Sequence, residues 1–243
     1  MHSFCIEIIS QTASFRNPEF QNFHKTLDLP PPTTVIGLAG AALGLSPPMV
    51  QDFFDEANLK VGIAGHSQGR MRDTWKYNKR TKEMHLYDPL LDGSVIQREH
   101  LVKSQFVIAF CGEEGEQIEQ LKNAFLNPTF ALTMGNSDAL AMIKSVKEDI
   151  KVTESNQLQH CIAEGDVIGE VLRKASENFK FSIYQSSEPI RFDLPTRFAY
   201  KSDYGKRSVS SSSTFTFVGE RMQLNYQVEG VQFEDLFIPI FSL

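Results

Sequence analysis

Residues 70–82 read RMRDTWKYNKRTK, a run dense in both charge and aromatic rings. Arg70, Arg72, Lys76, Lys79, Arg80 and Lys82 are set against one acid, Asp73, in a chain of 243 residues whose formal net charge is −6. Trp75, the only tryptophan, and Tyr77 are interleaved with them. On a strand, positions 75 and 77 share a face, so the two rings stand side by side while Lys76 points away. Cations neutralise phosphates, and rings stack on unpaired bases at roughly 1–3 kcal/mol each, which is the chemistry of single-stranded RNA binding. The structural alternative is a solvated charged loop with Trp75 pinned on the core. A second patch, residues 197–207 (RFAYKSDYGKR), carries Arg197, Lys201, Lys206 and Arg207 against Asp203, with Phe198, Tyr200 and Tyr204 between them. A plain surface β-hairpin is the alternative there.

Smaller candidates lie near the N-terminus and mid-chain. Arg16 follows the first apolar run and is the type of residue that holds a phosphate bidentately; a salt bridge, for instance to Glu19, is the competing use. Asn22, His24 and Lys25 sit in the loop after it, within reach of sugars or base edges. Gly135-Asn136-Ser137 is a turn that offers free backbone N–H groups, with Asn136 where a cation would make a stronger contact.

Two catalytic constellations compete with binding. Residues 65–69 spell GHSQG, which fits the G-x-S-x-G elbow of serine hydrolases, with Ser67 as nucleophile, Asp92 or Asp138 as acid and His160 as base. Against it, the polar Arg70-Met71-Arg72-Asp73 follows where a tightly packed helix should begin, and no HGGG-type segment precedes it. A glycine-flanked turn explains the motif better. A metal-free ribonuclease needs a base, an acid and a cation, and His24, Lys25 and Tyr77 supply the types. No Lys-His pair follows the basic run. Cys5, Cys111 and Cys161 are odd in number and widely spaced, which fits neither a disulfide framework nor zinc. No cofactor is expected.

The elements that must position these residues follow from pattern. Phe4 to Ser10 reads as a strand. Pro30, Pro31 and Pro32 stiffen the approach to a helix that Thr33 or Thr34 caps and that ends near Gly44. In it Gly37, Gly40, Ala41 and Gly44 form a face without side chains, open to close approach by a backbone or ligand. Ser46-Pro47 opens a second helix. Leu59 to Ala64 is a strand, residues 66–104 a long hairpin or excursion, and Gln105 to Cys111 a buried strand. Glu113 to Phe125 is an amphipathic helix, and Thr129 to Met134 a strand that turns at Gly135-Asn136. That order is β-α-β-β-α-β, a ferredoxin-like α+β sheet of the RRM type. Beyond it the chain is mostly β: a helix over Asp166 to Asn178, strands at Phe179 to Tyr184, Thr214 to Val218 and Met222 to Val228, and a mobile loop at the low-complexity Ser208 to Ser213. The division is a first domain over residues 1–145, with the excursion at 66–104, and a smaller β-rich domain over 146–243. Net charge excludes wholesale coating of nucleic acid, not a local basic site. The start, MHSFCIEIIS, has no basic n-region, and Val35 to Leu45 is about half of what spans a bilayer. A reducing cytoplasm is the expected compartment.

The stretch from Ser14-Phe15-Arg16 through LPPPTT (Leu29 to Thr34) and VIGLAGAALGL (Val35 to Leu45) resembles the Cas five family, the CRISPR RAMP subunit of type I Cascade complexes. Leu126-Asn127-Pro128 and FALTMGNS (Phe130 to Ser137) echo it more faintly, and the last hundred or so residues match only loosely. The resemblance implies a RAMP domain whose excursion is a β-hairpin thumb, and it leans toward subtype I-B. It implies a non-catalytic role, gripping the 5′ handle of the crRNA while a separate Cas six nuclease cuts. One branch of the family instead processes the precursor RNA itself. The implied neighbours are the Cas seven backbone subunit and the Cas eight large subunit, which lies near the protospacer-adjacent motif of the target DNA. Family members often carry an arginine where this chain has Asn136.

Overall fold

The computed structural model describes residues 1–20, 23–78, 93–178, 189–203 and 205–243. The first strand, β1 (His2–Ala13), leads through an irregular loop to α1 (Pro32–Leu43) and α2 (Pro47–Glu56). Two long strands follow, β2 (Lys60–Asn78) and β3 (Gly93–Gly112), then α3 (Gly115–Leu126) and β4 (Ala141–Glu148). β1 lies between β3 and β4, and β3 pairs with β2, all antiparallel, giving the order β4-β1-β3-β2. This is the ferredoxin-like sheet that the element order predicts. The chain continues through β5 (Val152–Leu158), β6 (Cys161–Glu164), α4 (Val167–Asn178), β7 (Ile190–Tyr200), β8 (Arg207–Val218), β9 (Met222–Phe233) and β10 (Leu236–Ser242). β10 joins β9 and β5 to β2, while β6 links β2 to the β7–β8 hairpin.

Strand alternation divides the core into two. Phe4, Ile6 and Ile8 of β1 and Phe106, Ile108 and Phe110 of β3 face α1, α2 and α3, meeting Val35, Phe54, Leu121 and Phe125. Phe110 sits at the centre of an aromatic cluster, 5.1 Å from the Phe4 ring and 5.3 Å from Phe125. Cys5, Val107, Ala109 and Cys111 point the other way, onto Leu158, Val171, Met222, Val231 and Ile238. The three cysteines are thus core side chains, and burial pushes each thiol up to about 12.

Several local expectations are corrected. Thr33 and Thr34 lie inside α1, whose N-cap is Pro31. Ser46 precedes α2 as expected, but its hydroxyl makes no capping bond. Thr129 to Met134 is not a strand. The Thr129 and Phe130 amides donate to the Ala42 and Ala41 carbonyls, capping the end of α1, and only Thr133 bridges, to Leu140. The fourth strand is β4, further along the chain. Ser208 to Ser213 is not a loop but the first half of β8, paired with β7 over Leu194 to Ala199. Gly65 to Gly69 lie within β2, with Ser67 opposite Ser104, so the strand-turn-helix of a nucleophile elbow is absent. The strand expected at Phe179 to Tyr184 lies outside the described residues.

Candidate nucleic-acid interface

The β2–β3 ladder keeps one register from Lys60 opposite Cys111 to Asn78 opposite Gly93, interrupted at Lys103, whose φ is +48. Its inner half belongs to the sheet, because β1 covers β3 only up to Leu101. Beyond that point the two strands form a ribbon, which is the predicted thumb. One edge of its base is closed by the loop after β1. His24 donates its amide to the Gln97 carbonyl at 3.0 Å and accepts from the Glu99 amide at 2.8 Å, a short parallel bridge beside Arg98. Arg16 pairs with Thr26 across the same loop and is exposed. Gly135 closes against it: with φ +94, a Cβ there would stand 1.9 Å from the Ser14 carbonyl oxygen, and the Ser14 amide donates to Met134 at 3.0 Å. Only glycine fits so close a backbone approach. Arg16, His24, Lys25 and the half-buried Asn136 turn are therefore built onto one end of the sheet.

The basic run divides by role. Arg70 is engaged internally: Nη1 donates to Glu99 Oε2 at 2.7 Å and Nη2 to Asp28, while the Thr26 amide also bonds Glu99, at 3.3 Å. Arg70 thus fastens the loop to the ribbon. Arg72 covers the Phe23 ring, 5.5 Å from its centroid, and Lys25 covers Phe20 at 5.1 Å. Lys76 is exposed. Trp75 is 52% exposed, so it is not pinned on the core. Its ring rests instead on the Arg98 guanidinium, 4.3 Å from the centroid. Tyr77 belongs to β2. Asn22, Lys79, Arg80 and Lys82 lie outside the described residues. His24 titrates below its ordinary range, because burial disfavours the imidazolium and the Arg16 and Arg98 charges add to that.

The second patch is rearranged by long-range contacts. Arg197 bonds Asp52 at 2.9 Å and pairs with Asp55, so it ties the β7–β8 hairpin to α2. Gln51 reinforces the tie, donating to the Phe198 carbonyl and accepting its amide, both at 2.9 Å. Lys201 and Lys206 join across the hairpin turn, and both are exposed. Arg207 lies over the Phe198 ring at 4.3 Å. With Thr33 and Gly37 it lines two adjoining depressions, of about 500 and 260 Å³, along α1. The glycine face of α1 therefore has three uses. Gly40 packs on Val50, Gly44 caps the helix at φ +75, and a Cβ at Gly37 would meet nothing within 4 Å, leaving that position open to the groove.

Sequence reasoning missed Arg98, Phe23 and Thr33. For Arg98 a signal existed: counted back along the hairpin it falls opposite Asp73. Phe23 and Thr33 carry no local sign of their partners.

Over residues 5–210 the chain matches the model of a family described as CRISPR-associated protein (Cas_Cas5). The chain belongs to the Cas5 family. Among solved structures, a chain of a CRISPR RNA-guided surveillance complex aligns with this Cas5 protein at a TM-score of 0.54 and 16% identity, covering 90% of each chain. A chain of a type III-B Cmr-beta complex bound to cognate target RNA and AMPPnP aligns at a TM-score of 0.51 and 10% identity, covering 90% of this chain and 86% of the other. Both likenesses concern the fold. A Cas protein crystal structure shares 21% identity, over 56% of this chain and 57% of its own length, at a TM-score of 0.36. No curated protein matches the sequence.

Proposed function

We propose that this Cas5 protein is a non-catalytic crRNA-binding subunit of a type I Cascade complex, working in the cytoplasm and gripping the 5′ handle of the guide. The observation that carries this reading is Trp75, half-exposed on the ribbon with one ring face against Arg98 and beside the cation Lys76. An unpaired base stacks on such a ring, and the neighbouring cations neutralise its phosphates. The family membership, and the fold shared with a chain of an RNA-guided surveillance complex and a chain of a Cmr-beta complex bound to target RNA, support the same conclusion. The RNA runs past Arg16, His24, Lys25 and the Asn136 turn at the base of the thumb, and Tyr77, Lys79, Arg80 and Lys82 of the basic run supply a further ring and further cations. Lys201, Lys206 and Arg207 form a separate contact beside α1. The Cas seven backbone and Cas eight large subunit are its protein neighbours, which brings it near the protospacer-adjacent motif of target DNA.

Labelled repeat RNA incubated with the protein in EDTA tests both halves of this reading. Binding without a cleavage product is expected, and Trp75→Ala is expected to weaken binding by roughly 1–3 kcal/mol. A discrete product would transfer the protein to the metal-free endoribonucleases. An unchanged dissociation constant for Trp75→Ala would remove the thumb from the RNA site.

A further inference from the structure

We propose that Arg98 is the positioning residue of the thumb, fixing the Trp75 ring so that its outer face receives an unpaired nucleobase. The inference rests on the RNA-binding reading above and adds a residue outside the basic run.

Four observations converge on Arg98. It is only 7% exposed, although Arg72 and Lys76 on the same ribbon are exposed. Its guanidinium lies 4.3 Å from the Trp75 ring centroid, within the range of a cation–π contact, so one face of the indole is occupied from inside the protein. Its Nη2 reaches two carboxylates, Asp73 at 3.3 Å and Asp138 at 3.5 Å. Asp73 is its cross-strand partner on β2, and Asp138 belongs to the turn after α3. Its backbone is clamped as well, since the residues on either side, Gln97 and Glu99, both bond to His24. The backbone at Arg98 therefore ties the ribbon to the β1 loop, while its side chain reaches the 135–139 turn and presents a flat cation to the indole.

A tryptophan on a two-stranded ribbon has no core behind it. Without a support it samples several rotamers, and a stacking partner must then overcome that entropy. A planar guanidinium held at Nη2 by two carboxylates removes the freedom before RNA arrives. Arg98 is unsuited to touching phosphate itself: it is buried, and two carboxylates already face it. Lysine would keep the charge but lose the plane.

The experiment uses the full-length protein and single-stranded oligoadenylate, read by intrinsic fluorescence, because Trp75 is the sole tryptophan. In the wild type, RNA is expected to quench the emission. Arg98→Met, similar in bulk, is expected to raise acrylamide quenching of free Trp75 and to weaken RNA binding about three- to tenfold. The slope of log affinity against log salt should stay unchanged, whereas loss of a direct phosphate contact would flatten it by about 0.7. In a Trp75→Ala background, Arg98→Met should have no further effect on binding, since it acts through the ring. Asp138→Asn, a change to an exposed carboxylate, should loosen the ring in the same direction by a smaller factor, and it guards against a fold defect in Arg98→Met. A flattened salt slope, an equal loss in the Trp75→Ala background, or unaltered acrylamide quenching in both variants would overturn the assignment. If wild-type fluorescence ignored RNA and Trp75→Ala bound as tightly as wild type, the RNA reading of Trp75 would fall first and take the inference with it.

Discussion

Glu7 lies in the middle of β1, on the sheet face away from α1 to α3, and is almost fully buried. Burial raises the cost of its charge, yet its carboxyl titrates below the ordinary range. Lys144 donates at 2.8 Å, Ser145 at 3.0 Å and Gln105 at 2.5 Å, and together with the Lys144 charge these outweigh desolvation. The group binds its proton less readily folded than unfolded. Its contribution is therefore full above the unfolded value near 4.5 and disappears as pH falls through the lower folded value. Glu7→Gln should cost on the order of 1–3 kcal/mol at neutral pH, by analogy with other hydrogen bonds to charged groups. It should cost much less at an acidic pH below that folded value, where wild-type Glu7 is protonated as well. Urea melts of both proteins at the two pH values would measure the difference. A gap independent of pH would mean that the amide's packing, not the carboxylate charge, sets the effect.

At the scale of elements, two glycines predict opposite outcomes. Gly135 has φ +94 and no room, with the Ser14 carbonyl where a Cβ would stand. Gly135→Ala should destabilise the protein by more than about 2 kcal/mol, because strain and a backbone clash add. Gly37 lies in the interior of α1 with nothing within 4 Å. Gly37→Ala should stabilise by up to about 1 kcal/mol while narrowing the groove beside Arg207. Denaturant midpoints report the two signs, and a destabilised Gly37→Ala would show that the position is not open. These elements also show where sequence is legible. The buried strand at Gln105 to Cys111 and the small-residue α1 announce themselves because burial on both faces and close packing leave composition no freedom. FALTM is the more apolar segment and so reads as the fourth strand, whereas β4, AMIKSVKE, is an edge strand with one face in water. Apolarity does not mark a strand here: Phe130 is exposed, and its amide caps α1 instead of joining the sheet. The serines of β8 looked like a loop because a ribbon that pairs but covers no core accepts small polar side chains. Arg70 and Arg197 looked free for the same reason that any long-range pair is invisible: their acids lie 29 to 145 positions away.

At the scale of the whole molecule, a chain of net charge −6 must bind a polyanion through a local field. At physiological salt that field decays within about 8 Å, so acids elsewhere on the body do not cancel it. What counts is which thumb cations remain available to phosphate. Arg70 is compensated by Asp28 and Glu99, and Asp73 is turned toward Arg98. Among the described residues, no carboxylate forms an ion pair with Arg72 or Lys76. With Lys79, Arg80 and Lys82, counted from sequence, the basic run offers about five such cations. Neutralising five phosphates of a single strand gives a slope of log affinity against log salt of roughly −3.5. Lys76→Gln should flatten that slope by about 0.7, since it deletes one phosphate partner. Arg70→Gln should leave the slope alone and instead lower the melting temperature, since it unfastens the β1 loop from the ribbon. Titrations of repeat RNA at several potassium chloride concentrations separate the two variants. If Arg70→Gln flattened the slope as much as Lys76→Gln, Arg70 would have to leave Glu99 for phosphate on binding, and the loop that carries Arg16, His24 and Lys25 would be released by the RNA it helps to hold.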